Sequence, residues 1–263
     1  MSEPDSRTDE ADEADESGIP AFDTPDLDEA GLLELLTHGE LDVIGRMVDA
    51  SNATLYCSTT LNGVTAACVH KPIAGERPLW DFPDGTLAAR EVGAYRVSAA
   101  TGWNIVPPTV LRDGPWGPGM AQLWIDVDDS VDLGWLVRAD DDRLRRIAVL
   151  DAVINNADRK GGHLLPTAGG DLYGIDHGVC FAVENKLRTL LWGWAGQPLP
   201  EETVEVLEEV AAEWESGLGP ALTELLTPRE STATRRRLTR LLRTGIHPEP
   251  RQDGWPAVPW PPF

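Results

Sequence analysis

Two runs rich in β-branched residues, TLYCSTTL (54–61) and VTAACVHKP (64–72), are separated by Asn62-Gly63 alone. Asn and Gly both tolerate positive φ, and a two-residue link of this composition is the strongest short-range hairpin signal a sequence carries. It pins an antiparallel pair early in the chain. The preceding ELDVIGRMV (40–48) predicts a third strand, and TVLRD (109–113) and GMAQLWIDV (119–127) two more, joined by a Gly/Pro-rich link. Between them TLAAREVGAYRVSAAT (86–101) reads as a helix, with Thr86 as N-cap and Gly102 as terminator. A further short helix precedes the strands, opened by Thr24 and Pro25 and stopped at Gly39.

Beyond residue 126 the periodicity becomes helical. DDDRLRRIAVLDAVINN (140–156) places acids in its first turn and apolar residues at Leu144, Ile147, Leu150 and Ile154. ADRKGGHLLPTAGGDLYGIDHGVCF (157–181) holds two short strands around a Gly-Gly turn, and residues 200–244 are helical again. The reading is an α+β chain with four parts. Residues 1–24 form an acidic tail without hydrophobic period, which predicts disorder. Residues 25–125 form a small antiparallel β-rich N-lobe, residues 126–246 a mainly helical C-lobe, and residues 247–263 a Pro/Trp-rich tail that must run extended.

Charge narrows the function classes. The chain has 44 acidic against 22 basic residues, a net charge of −22. Nucleic acids and anionic bilayers attract basic patches, so neither is an expected partner. No window approaches the roughly 18 apolar residues of a membrane span, and no signal peptide opens the chain, which predicts a cytoplasmic protein. Cys57, Cys68 and Cys180 lack metal-ligand spacing and suit buried, reduced thiols.

Only three of the basic residues are lysines, and Lys71 ends an apolar strand, where a charge is costly unless partnered. Glu91 follows in the second turn of the next helix, and Asp158 and Asp176 flank the short strand pair. Phosphoryl transfer needs a cation on the nucleotide phosphates, a carboxylate to hold that cation, an acid at the acceptor hydroxyl and carboxylates for the metal. These four residues supply them in that chain order. Taken singly, each has a plain structural reading: a strand-end lysine, a surface helix glutamate, two turn-forming aspartates. The set in order favours chemistry.

The motifs HKP (70–72), REVGAYRVS (90–98), QLWI (122–125), NNADRKGGHLL (155–165), GIDHGVCF (174–181) and LLWGWAGQPLP (190–200) resemble the phosphoinositide 3/4-kinase-like superfamily. The similarity is closest to type II phosphatidylinositol 4-kinases and extends in part to HipA-like kinases, over roughly residues 41–225. It implies a bilobal protein-kinase-like fold that uses ATP with magnesium or manganese. By resemblance, Asp158 acts on the acceptor hydroxyl, Asp176 binds the metal, and Lys71 holds the phosphates with Glu91 as its ion-pair partner. Ser51 and Asn52, at the tip between the first two strands, cover the phosphates, and Gln122, Leu123, Trp124 and Ile125 contact adenine.

One position departs from that pattern. His163 stands where the superfamily places a metal-ligating asparagine. Imidazole suits manganese better than magnesium, which prefers hard oxygen donors. Three readings stay open: a manganese preference, a single metal held mainly by Asp176, or a site that binds nucleotide without turnover. The gap after Lys71 has no cysteine-rich membrane-anchoring insertion, and the segment after Asp176 carries two cations and one acid. A soluble hydroxyl acceptor is therefore expected, an inositol-like polyol, a sugar or a protein, with no stable membrane anchoring. A pseudokinase acting as a nucleotide-binding regulatory module is the alternative.

Overall fold

In the computed structural model, which describes residues 22, 24–47, 52–252 and 256–263, Asn62 and Gly63 take φ of 53° and 82° and turn the chain as their composition requires. The helix α1 (Glu29–His38) comes first. It starts later than Thr24 and Pro25 suggest, because the Asp28 carboxylate accepts the Gly31 N–H at 2.8 Å and so makes the N-cap. Strands β1 (Glu40–Met47), β2 (Thr54–Leu61) and β3 (Val64–Pro72) follow, then helix α2 (Leu87–Thr101) and strands β4 (Thr109–Gly114) and β5 (Gly117–Leu123). The five strands form one antiparallel sheet in the order β1-β2-β3-β5-β4.

Strand alternation decides what each face of this sheet does. Leu55, Cys57, Ala66, Cys68, Ala121 and Leu123 point to one face and close over Leu35 and Leu36 of α1. Lys71, Val69, Tyr56, Met120 and Gln122 share the other face through the pairings Tyr56↔Val69, Val69↔Gln122 and Lys71↔Met120. There Met120 packs on Ala88 and Val92 of α2. Thr86 does not cap α2 with its side chain. The Glu76 carboxylate does that work, accepting the Leu87 and Ala88 N–H groups at 3.2 and 2.9 Å, a negative charge placed at the positive end of the helix.

The second half is built on α3 (Leu133–Leu136), α4 (Asp142–Ile154), the two-stranded β6 (Leu164–Pro166) and β7 (Leu172–Gly174), and helices α5 (Glu201–Ala212), α6 (Leu218–Leu225) and α7 (Pro228–Thr244). Its core gathers Leu144, Ile147, Leu150 and Ile154 from α4 with Phe181, Leu222 and Leu238. The helix α2 lies between this core and the sheet, so even its Arg90 and Glu91 are buried. Arg90 spans the two halves, donating to Cys180 O at 2.7 Å and to Glu230 at 2.5 Å over the ring of Phe82.

The described part of the C-terminal segment forms no helix or strand and is tied down by its carbonyls. Ala257 O accepts from Thr189 N and Trp192 Nε1, and Pro262 O accepts the Gly161 N–H at 2.8 Å. The Phe263 ring covers Gly161 so closely that a Cβ there would collide with it. Cys57, Cys68 and Cys180 are buried free thiols. No helix among the described residues is long and apolar enough to cross a membrane. The expected acidic tail, residues 1–24, lies largely outside the described residues.

Candidate active site

Lys71 is carried by the last turnless stretch of β3, on the sheet face that looks toward α2, and its ammonium sits between two carboxylates. Nζ lies 2.7 Å from Glu91 Oε1 and 2.9 Å from Asp176 Oδ1. Burial works against the charged amine, but Asp176 and Glu91 outweigh it and hold its pKa above that of a free lysine. In return Lys71 keeps the Asp176 carboxyl well below the usual carboxylate range. Glu91 is itself held from below, because its Oε2 accepts the His177 N–H at 2.8 Å. One helix glutamate thus fixes both the strand lysine and the backbone of the loop that follows β7.

Asp176 occupies the left-handed region at φ 61°, a conformation that Asp tolerates better than most residues. His163 stands beside it, Nε2 to Oδ2 3.3 Å, while Nδ1 faces the Lys160 N–H at 3.5 Å. Burial lowers the His163 pKa, so the ring is neutral at pH 7. With Nδ1 toward a donor, the ring proton sits on Nε2 and points at Asp176. Among the described residues no group of three His, Cys, Asp or Glu side chains forms a ready metal cage. The donors present, one carboxylate and one imidazole, suit a divalent ion that takes its remaining ligands from phosphate oxygens and water.

Asp158 comes from the loop after α4. Asn155 ends that helix in the left-handed region, φ 57°, and its amide donates to Ala182 O and Glu184 O while its oxygen accepts the Lys186 N–H. Asn156 Oδ1 accepts the Asp158 N–H at 2.9 Å, and Lys160 Nζ lies 3.2 Å from Asp158 Oδ2. Beneath them Arg159 is fully buried on Asp151, with Nη2 to Oδ1 at 2.9 Å and Nε to Oδ2 at 3.0 Å. Its Nη1 donates to Ile175 O, which fixes the residue preceding Asp176. Its Nη2 meets His177 Nε2 at 2.6 Å, so that imidazole accepts there and is neutral. Burial, then the Arg159 charge, hold the His177 pKa well below its ordinary value.

The residues expected around the nucleotide divide. Gln122 is on the Lys71 face but buried, donating to Thr109 Oγ1 at 2.8 Å. The Leu123 side chain lies on the opposite face, in the core with Leu35 and Leu36, and Ile125 packs against that cluster. The Leu123 and Trp124 N–H groups are spent on Pro108 O and Ala67 O. Among the described residues the Ile125 N–H makes no backbone hydrogen bond. Trp124 stacks edge-on against Tyr56 at 4.9 Å between ring centroids. Asn52 Oδ1 accepts the Arg77 N–H at 2.9 Å, and Ser51 lies outside the described residues.

Sequence reasoning assigned no role to Tyr56, Asn156 or His177. Period-2 alternation from Lys71 through Val69 to the paired Tyr56 would have found the first. The other two depend on contacts between segments that no local pattern encodes.

A five-stranded sheet with one inserted helix, a lysine–glutamate pair, and two aspartate loops around a short hairpin together define the protein-kinase-like fold. A solved Golgi casein kinase shares it with a TM-score of 0.56 at 15% identity, covering 82% of this chain and 74% of that one. Protein Rv2133c of Mycobacterium tuberculosis (strain ATCC 25618 / H37Rv) is 47% identical over 264 residues, 87% of this chain and 94% of the relative. The chain belongs to the family of that protein. Phosphatidylinositol 4-kinase gamma 3 of Arabidopsis thaliana is 33% identical over 167 residues, which is 49% of this chain and 29% of the plant protein. No protein-family model matches the chain.

Proposed function

We propose that this protein is an ATP-dependent phosphotransferase that moves the γ-phosphate to a hydroxyl of a soluble acceptor, a polyol, a sugar or a protein, or to itself. The observation that carries this reading is the Lys71 ammonium poised between Glu91 and Asp176, 2.7 and 2.9 Å away. A lone cation fixed by one buried carboxylate, with a second carboxylate ready to exchange it for a metal, is what phosphate positioning requires.

In this mechanism Lys71 stays on Glu91 and turns to the nucleotide phosphates, leaving Asp176 free for the metal. Magnesium or manganese, when bound, would neutralise charge on the transferring phosphoryl group. Asp176 would hold it mainly, with His163 either as a second ligand or as the donor that orients Asp176. The Asp158 carboxylate orients the acceptor hydroxyl and takes its proton, and Lys160 beside it offers a second cation near the site of transfer. The Ile125 N–H and the Tyr56–Trp124 pair are the adenine contacts this geometry supports. The acidic body and the lack of a cysteine-rich insertion favour a soluble acceptor over a bilayer.

The test is incubation with ATP labelled at the γ-phosphate, with magnesium and with manganese in parallel, beside Asp158→Asn and Asp176→Asn. Transfer to protein, to an added polyol or to water, lost in both variants, supports the enzyme. Stabilisation by ATP without transfer under either metal would replace it with the pseudokinase reading.

A further inference from the structure

Away from Lys71, Glu91, Asp158 and Asp176, a cleft of about 1060 Å³ opens between α7 and the segments 183–192 and 246–252. Among the described residues Arg229, Arg236, Arg237, Arg240 and Arg251 line it, against Glu249 as the single acid. That concentration of cations runs against the composition of the chain, in which acids outnumber bases two to one.

Six arginines elsewhere find carboxylates: Arg90, Arg143, Arg145, Arg146, Arg159 and Arg235. Among the described residues Arg229, Arg236, Arg237 and Arg240 make no ion pair. The sequence puts them on one stripe, since positions 229, 236 and 240 recur at helical spacing and 237 adjoins them. Arg236, Arg237 and Arg240 fall within about one turn, roughly 6 Å of helix.

Arg237 supplies an independent sign of a missing partner. Its Nη2 donates to the carbonyls of Ala182 and Val183, while Nη1 is sealed from solvent with nothing to donate to among the described residues. Burial pushes the pKa of this guanidinium down to about 10, a desolvation that the nearby Glu184 carboxylate only partly offsets. An unpaired buried donor of this kind is costly, and an anion in the cleft would satisfy it, with charge-assisted, forked hydrogen bonds, once the guanidinium turns outward. On the facing wall, Trp192, Leu187 and Ile246 offer apolar surface for an organic portion.

We propose that this cleft is a second ligand site, one that takes a phosphorylated small molecule, with Arg236, Arg237 and Arg240 on the phosphates and Trp192 against the organic part. The ligand would touch Val183 and Asn185, in the stretch that Asn155 ties to the catalytic loop. The site does not depend on the phosphotransferase reading, because none of its residues belongs to that machinery.

The probe is pyrophosphate, titrated into the full chain at constant ionic strength and followed by calorimetry and thermal melting. Wild type, Arg236→Gln/Arg240→Gln and Lys71→Met are compared. Expected are binding by wild type, at least tenfold weaker binding at this cleft by the arginine pair with an unchanged melting temperature in the absence of probe, and retention of the arginine-sensitive binding by Lys71→Met, in which phosphate binding at the Lys71 site is removed. Should the arginine pair fail to fold, Arg236→Lys and Arg240→Lys keep the charge and remove the fork, and a threefold or greater weakening is expected of each. Absence of binding, binding insensitive to the arginines, loss of all binding in Lys71→Met, or equal stabilisation by sodium chloride at matched ionic strength would each overturn the proposal.

Discussion

Glu91 grips the loop that carries Asp176 through the neighbouring residue: its Oε2 accepts the His177 N–H at 2.8 Å, while its Oε1 holds the Lys71 ammonium at 2.7 Å. The first half of the chain therefore contributes one side chain that sets both the cation and the backbone beside the carboxylate it faces.

Glu91→Gln keeps an acceptor for His177 but removes the charge that holds Lys71. A hydrogen bond to a charged group is worth about 1.5–3 kcal/mol. Phosphoryl transfer is expected to fall about 10- to 100-fold, with the fold retained. Steady-state kinetics beside far-UV circular dichroism measure this, and wild-type turnover in the variant would remove Glu91 from the mechanism.

Arg159 and Asp151 are both fully buried. Arg159→Met strands the carboxylate in the core and is expected to cost about 3–5 kcal/mol. Adding Asp151→Leu should restore most of that loss, since an apolar pair replaces the ionic one at little cost. Urea denaturation of the two variants gives the comparison, and a double variant no more stable than the single would refute it.

His163→Asn replaces imidazole by a hard oxygen donor beside Asp176. The ratio of magnesium- to manganese-supported transfer is expected to rise several-fold. An unchanged ratio would assign His163 to orienting Asp176 through Nε2.

His177 is held neutral in the fold by its burial and then by Arg159, which donates to its Nε2, so its pKa is lowered relative to the unfolded chain. The unfolded chain therefore binds the extra proton first. This contribution to stability is complete above about pH 6.5 and is lost as pH falls below it. His70, His163 and His247 shift in the same direction. Melting temperature is expected to be level between pH 7 and 8 and to drop below pH 6.5. In His177→Gln the drop should be shallower, and a slope equal to wild type would count against the assignment.

Gly161→Ala places a methyl where the Phe263 ring lies. The C-terminal segment is expected to lift from the catalytic loop, seen as faster hydrogen exchange at Gly161, whose N–H is bonded to Pro262 O. Exchange as slow as in wild type would show that the ring yields without the strap moving.

The local patterns of the chain determined a good deal. Asn62-Gly63 required the hairpin, alternation placed Lys71 at its end, and the ordered lysine, glutamate and two aspartates pointed to a kinase-like fold before any contact was known. Those signals are legible because they depend on backbone dihedrals and on spacing within one segment. What tertiary structure alone decided is which of the residues around the site are free to act. Leu123 faces the α1 core because pairing with Cys68 fixes its side of the sheet, and Asn52 is engaged by Arg77, 25 positions away. Glu91, His177, Arg159 and Asp151 become one network, and Arg229, Arg236, Arg237 and Arg240 of α7 stay without carboxylates among the described residues of an acidic protein, through the docking of distant segments. Hydrogen bonding and charge compensation at that range depend on three-dimensional neighbours, which no periodicity records.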